Sequence, residues 1–104
     1  MIPKVTHLSP SECKNIADVR NEIDRIDQVI VALIGERFEY VKEVVKYKAP
    51  TPAGIEASDR RTSMLADRRT WAVARGLDPD VIASLYDQLV EYFIAEEKKL
   101  CQIG

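Results

Sequence analysis

The chain has 104 residues, of which 46% are hydrophobic, 31% are charged and only four are glycine. This composition is typical of soluble helices rather than of sheets or disorder, and a single chain of this size buries a limited fraction of its surface. The formal net charge of −2 excludes a general attraction to nucleic acid or to an anionic membrane. We therefore expect one all-α domain, residues 1–104, that gains from oligomerisation.

The first predicted element is a long amphipathic helix. Its apolar residues recur at a three-four spacing and share one face: Ile16, Val19, Ile23, Ile26, Ile30 and Leu33. The pattern continues until Pro50 and Pro52, which predicts one helix of about 30 residues and about 45 Å. A helix of that length rarely belongs to a compact monomer of about 100 residues.

The stretch that follows, Ala49 to Ser58, holds two prolines and one glycine among small residues. It is predicted as an ordered but mobile loop and as the one candidate lid. A second, shorter helix is predicted to begin at Ser58 or Asp59, either of which can cap it, and to end at Gly76.

A third helix is predicted from Asp78 as N-cap, with Pro79 at the first helical position. Its apolar residues are Ile82, Leu85, Leu89, Tyr92, Phe93 and Leu100. The predicted architecture is long, short, long, without an internal repeat or a second domain.

Arg37 stands where the apolar stripe of the first helix predicts a hydrophobic residue. A buried guanidinium costs several kcal/mol unless an anion meets it, so Arg37 pairs with a carboxylate, extends to solvent or binds an anionic ligand. Lys48 lies eleven residues on, about three helical turns, which predicts two cations on one face about 16 Å apart. Together they could bracket a small dianion.

Arg20 precedes Lys48 by 28 residues, or about 42 Å along a straight helix. One chain cannot bring both side chains to one small ligand, so a site that they share contains two chains.

Four arginines lie in the second helix: Arg60, Arg61, Arg68 and Arg69. Exposed arginines most often belong to a solvated face, and this is the default interpretation of all four. On the third helix, Glu97 is predicted to lie partly on the inner side, while the neighbouring Glu96 could be the exposed residue.

Several kinds of site are argued against by what the sequence lacks. The only cysteines, Cys13 and Cys101, lie near opposite ends, so neither a disulfide framework nor a zinc site is indicated. His7 is the only histidine, which argues against histidine acid-base catalysis. If the chain is an enzyme, it is expected to work by positioning and electrostatics, without metal or cofactor. No signal peptide or apolar run of about 20 residues is present, so a cytoplasmic location is expected.

The segment ADVRNEIDRIDQVIVALIGERFEYVKEVVKYKA, Ala17 to Ala49, resembles the first helix of the all-helical chorismate mutases, whose pattern includes R-x-x-I-D-x-I-D. Matching positions are Arg20, Asp24, Asp27, Leu33, Arg37 and Lys48. The likeness continues through Arg60, the GLDP turn at Gly76 to Pro79, and the third helix. It implies an intertwined, domain-swapped homodimer that binds a small dicarboxylate, with Arg37 and Lys48 from one protomer and Arg20 from the other.

Two departures concern the reaction. Mutases carry D-x-x-R-E where this chain has Ala57, Arg60 and Arg61, and that glutamate helps to hold the ring hydroxyl of chorismate. Its loss resembles the isochorismate pyruvate-lyases of salicylate and siderophore biosynthesis. Glu97 falls where many members have a glutamine that donates to the ether oxygen, so Glu97 would have to be protonated to do the same.

The resemblance thus implies that isochorismate is converted to salicylate and pyruvate, with weak mutase activity beside it. The implied catalytic residues are Lys48, Arg37 and Glu97, and the implied substrate-binding residues are Arg20, Arg37, Lys48, Arg60 and Glu97. Two alternatives stay open: a chorismate mutase proper, which makes prephenate, and a non-catalytic helical dimerisation module.

Overall fold

The computed structural model describes residues 7–103, and every regular element within that range is helical. The α-helices are α1 (Ile16–Val44), α2 (Pro52–Glu56), α3 (Ser58–Ala74) and α4 (Pro79–Leu100), with short 3₁₀ turns at Pro10–Glu12 and Val45–Tyr47. The all-α prediction is confirmed, and α1, α3 and α4 are the predicted long, short and long helices. The chain divides into two compact units, Met1–Glu39 and Tyr40–Gly104.

The first unit contains most of α1 and the turn that precedes it. Ser9 N–H donates to Glu12 Oε1 at 2.8 Å, and hydrogen bonds from Ser9 lower the pKa of the Glu12 carboxyl. Asn15 Oδ1 then accepts from Asp18 N–H at 2.8 Å, which satisfies a free N–H group at the start of α1. No residue of α1 is buried, and the six side chains of the apolar stripe are 43–64% exposed.

The end of α1 differs from the prediction. The helix stops at Val44, tightens into a 3₁₀ turn, and leaves Lys48 extended at φ −101° and ψ 148°. Pro50 explains the early stop, because a proline disfavours helical backbone angles at the residue before it. The helix must therefore end before that residue. The prediction that Lys48 continues the helical face of Arg37 is therefore wrong.

The predicted loop at residues 49–58 contains the helix α2. Thr51 caps it, because its Oγ1 accepts from Gly54 N–H at 3.1 Å, and Pro52 occupies the first helical position. A Thr-Pro pair is the same start signal as the Asp-Pro pair of the third predicted helix. The loop prediction was wrong for Pro52–Glu56, because a proline at the first helical position has no helical hydrogen bond to lose and can start a helix there.

The junction between α2 and α3 is one residue long. Ala57 N–H donates to Ala53 O at 3.1 Å to close α2, and Ala57 is also the N-cap of α3. It adopts a left-handed conformation, with φ 45° and ψ 57°, and makes no side-chain cap. The predicted capping by Ser58 or Asp59 is wrong, because both residues are already inside the helix.

The other predicted boundaries are confirmed. Gly76 has φ 72°, and Leu77 N–H donates to Ala72 O at 2.9 Å, which is the closing hydrogen bond of a Schellman motif. Asp78 Oδ1 accepts from Asp80 N–H at 2.8 Å, and α4 begins at Pro79.

In the second unit, α2 and α3 both pack against α4. The buried side chains are Ile55, Met64, Ala72, Ala83, Phe93, Ile94 and the single buried charged residue of the described range, Glu97. Cys13 and Cys101 are free thiols, as expected. Among residues 7–103, no helix is long and apolar enough to cross a membrane.

Candidate active site

The centre of the candidate site is an ion pair inside the second unit. Lys48 Nζ lies 2.8 Å from Glu97 Oε1 and also donates to the main-chain oxygen of Ile55 at 2.9 Å. The Glu97 side chain is 4% exposed and the Lys48 side chain is 21% exposed. The pair therefore stands between the core and solvent, with the carboxylate inside and the ammonium at the edge.

Three elements position this pair. Helix α4 directs Glu97 into the core beside Phe93 and Ile94, one turn earlier on the same helix. The extended backbone after the 3₁₀ turn presents Lys48, and α2 presents the carbonyl of the fully buried Ile55. The inward acidic residue of the third predicted helix is thus Glu97, while Glu96 is half-buried and pairs with Lys99 at 3.0 Å.

The geometry leaves the ammonium with one unused donor. A lysine ammonium has three N–H groups, and Glu97 and Ile55 accept two of them. Within residues 7–103, no third acceptor is in hydrogen-bond distance of Lys48 Nζ. Among the described residues, two of the three N–H groups of the ammonium are therefore used.

The predicted arginines are placed as follows. Arg20 is exposed and Arg37 is half-buried, and both belong to the first unit. They are 17 residues apart on one continuous helix, or about 25 Å along its axis. Arg60 is exposed in the first turn of α3, and within the described range it makes no hydrogen bond or ion pair with Lys48 or Glu97.

Arg61 joins α3 to α4 and is not part of a solvated face. Its Nη2 lies 2.8 Å from Asp87 Oδ1, and its Nη1 lies 2.5 Å from Glu91 Oε1. The hydrogen bonds to Glu91 and Asp87 raise the pKa of the Arg61 guanidinium. The sequence carries a signal for these ion pairs, because the two acidic residues are spaced i, i+4 and so share one face of α4.

Arg68 also departs from the solvated-face interpretation. Its guanidinium carbon lies 4.6 Å from the ring centroid of Trp71 and 5.2 Å from that of Tyr86, which is cation–π geometry. Arg69, in contrast, makes an exposed ion pair with Asp80. Among residues 7–103, no group of three or more His, Cys, Asp or Glu side chains could hold a metal ion.

The site is thus a charge pair at the edge of a helical core, with a buried carboxylate and a partly exposed ammonium. The sequence model of the chorismate mutase type II family matches residues 19–98, and the chain belongs to this family of enzymes.

Curated relatives agree with the family. The chain is 41% identical to the isochorismate pyruvate lyase of Pseudomonas aeruginosa over 91 residues, which covers 88% of this chain and 89% of the lyase. It is 34% identical over 82 residues to the T-protein of Enterobacter agglomerans, and it spans 22% of that longer protein. A bifunctional chorismate mutase/prephenate dehydratase of Aquifex aeolicus is 28% identical over 90 residues.

Proposed function

We propose that the chain is an isochorismate pyruvate-lyase that converts isochorismate to salicylate and pyruvate without a cofactor. The observation that carries this choice is the 41% identity to a lyase of nearly the same length, because the likeness covers 88% of this chain. The reaction moves a hydrogen to the enolpyruvyl side chain as the ether bond breaks. It requires neither a nucleophile nor a metal ion.

The Lys48–Glu97 geometry supports a specific role for the ammonium. As the ether bond breaks, negative charge builds on the ether oxygen, and the free proton of Lys48 would donate to it. A donor that is already oriented needs no reorganisation when that charge develops. Glu97 and Ile55 supply the orientation, because they hold Nζ from two directions.

The two substrate carboxylates would be bound by Arg20 and Arg37 through forked hydrogen bonds. Since these residues lie about 25 Å apart on one helix, a small ligand that touches both must take them from two chains. We therefore propose the intertwined, domain-swapped homodimer. The exposed apolar stripe of α1 supports it, because a contiguous apolar surface of this kind is typical of an interface.

A chorismate mutase is the second candidate, and it is favoured by the match to the chorismate mutase type II family. The same donors suit both reactions, because chorismate is also a dicarboxylate with an ether oxygen. The departure at Arg61 favours the lyase, since a residue that binds Asp87 and Glu91 does not replace a glutamate that holds a ring hydroxyl.

Arg60 is proposed as a further substrate-binding residue. We also propose that the enzyme is cytoplasmic.

The deciding experiment is to incubate the purified protein with isochorismate and, separately, with chorismate. Salicylate is measured by its fluorescence, and the amount of prephenate formed is measured over time. Fast salicylate with slow prephenate supports the lyase, and the reverse result makes the chain a mutase. If neither dianion binds, the chain is a helical dimerisation module, and the proposal fails.

A further inference from the structure

The second acceptor of Lys48 is main chain and not side chain. Nζ donates to the carbonyl oxygen of Ile55 in α2 at 2.9 Å, and this carbonyl can reach Lys48 only if α2 folds back beside the residues that precede it. The placement of Lys48 therefore depends on how closely α2 approaches the segment that contains Lys48 itself.

Gly54 lies at that approach. A Cβ atom at residue 54 would overlap the Ala49 carbonyl oxygen and come within 2.9 Å of Ala49 Cβ. Thr51 N–H donates to the same Ala49 oxygen at 2.8 Å, so that carbonyl cannot turn away without losing a hydrogen bond. The space, and not an unusual backbone conformation, makes glycine necessary here, because Gly54 is absent from the residues with positive φ.

Ala49 directly follows Lys48, and Ile55 directly follows Gly54. The contact between Ala49 and Gly54 thus joins the two backbone segments that carry the ammonium and its carbonyl acceptor. We propose that Gly54 is a positioning residue for Lys48: its missing side chain lets α2 pack against Ala49, and this packing sets the Ile55 carbonyl at hydrogen-bond distance from Nζ. The inference rests on the function proposed above for Lys48.

A methyl group at residue 54 must push α2 away from Ala49, because the atoms it meets are backbone and Cβ and cannot rotate aside. The Ile55 carbonyl moves with α2, and Lys48 keeps Glu97 as its only fixed acceptor. A displacement of about 1 Å at a reacting group can lower a rate about 100-fold. Since the ammonium acts on charge that develops in the transition state, the loss should fall on kcat and leave KM nearly unchanged.

The experiment compares Gly54→Ala with Ala53→Ser, an exposed position one residue earlier in α2. Two quantities are measured for the full-length protein: kcat and KM for salicylate formation, and the ¹⁵N signal of the Lys48 ammonium with its proton exchange rate. Thermal unfolding checks that each variant folds. If Gly54→Ala does not fold, Thr51→Val replaces it, because this change loosens α2 by removing its cap without adding volume.

We expect Gly54→Ala to lower kcat by about 10- to 100-fold with KM within about twofold, and to speed proton exchange at Lys48 Nζ. Ala53→Ser should behave like the protein with the original sequence in both measurements. An unchanged ammonium signal in a folded Gly54→Ala variant, or a kcat within about twofold of the original, overturns the inference. If the unchanged protein turns over neither substrate, the proposed function fails, and the ammonium signal alone then decides whether Gly54 positions Lys48.

Discussion

Lys48 and Glu97 are 49 residues apart in sequence, and their side chains meet at 2.8 Å. Glu97 is almost completely buried, and a buried carboxylate is costly unless a cation and hydrogen bonds compensate it. Lys48 therefore stabilises the folded protein in addition to its role in the proposed reaction. Substitutions at either residue must be interpreted with both roles in view.

Replacing Lys48 by alanine should lower kcat by about 100- to 1,000-fold, by analogy with the loss of an oxyanion-hole donor. The same change should reduce the free energy of unfolding by about 1–3 kcal/mol, because Glu97 stays buried without its ammonium. Steady-state kinetics and urea unfolding measure the two effects. Lys46→Ala is the matched control, since Lys46 is exposed and pairs only locally with Glu43. A near-normal rate in Lys48→Ala would remove the lysine from the mechanism.

Glu97→Gln tests whether the carboxylate must be protonated to donate to substrate. An amide donates at every pH and its oxygen still accepts from Lys48, so we expect turnover within about tenfold of the original protein. The measurement is kcat of both proteins under the same conditions. A variant as inactive as Lys48→Ala would show instead that Glu97 works as the ionised partner of the lysine.

Arg61→Glu introduces the residue that typical mutases carry at this position. We expect it to destabilise the protein without creating a mutase, because the new carboxylate would face Asp87 and Glu91. Loss of the ion pairs alone, as in Arg61→Gln, should lower the free energy of unfolding by about 0.5–1 kcal/mol. The like-charge contact in Arg61→Glu should lower it by about twice as much. Urea unfolding at low and high salt measures both. Asp87→Lys, combined with Arg61→Glu, should restore part of the loss, and failure to do so would contradict the electrostatic explanation.

The two-chain site predicts complementation between Arg20→Ala and Arg37→Ala. Each variant alone should be nearly inactive, because every site in its dimer lacks one carboxylate-binding arginine. In a co-expressed mixture, half of the dimers pair the two variants and hold one intact site, so about a quarter of the original activity should return. The assay is salicylate formation by the mixed and unmixed proteins. No recovery in mixtures that contain the mixed dimer would mean that both arginines act within one chain.

Ala57→Gly should stabilise the protein. A left-handed conformation costs a residue with a side chain about 1–2 kcal/mol, while the greater freedom of glycine in the unfolded chain offsets about 0.5–1 kcal/mol. The expected gain in unfolding free energy is therefore about 0.5–1 kcal/mol, measured by urea unfolding at one protein concentration. Ala53→Gly, inside α2, should lower stability, which separates the effect of conformation from that of composition. A loss of stability in Ala57→Gly would contradict the assigned strain.

The sequence by itself determined the features that depend on neighbouring residues. The start of α4 at Pro79 follows from the Asp-Pro pair, and the end of α3 follows from Gly76, because capping and left-handed turns are local chemistry. The family also followed from the sequence, since the motif residues of the chain stand at the spacings that the family pattern has. The Thr51-Pro52 signal for the start of α2 is equally local.

The tertiary structure alone decided which groups meet across long separations. It brought Glu97 to Lys48, gave Arg61 its partners on α4, and brought the Ile55 carbonyl to the ammonium. Periodicity indicates which face of its own helix a residue lies on. It says nothing of what another helix presents to that face. Because α1 ends at Val44, the environment of Lys48 depends on the packing of α2 and α4 and not on helical register.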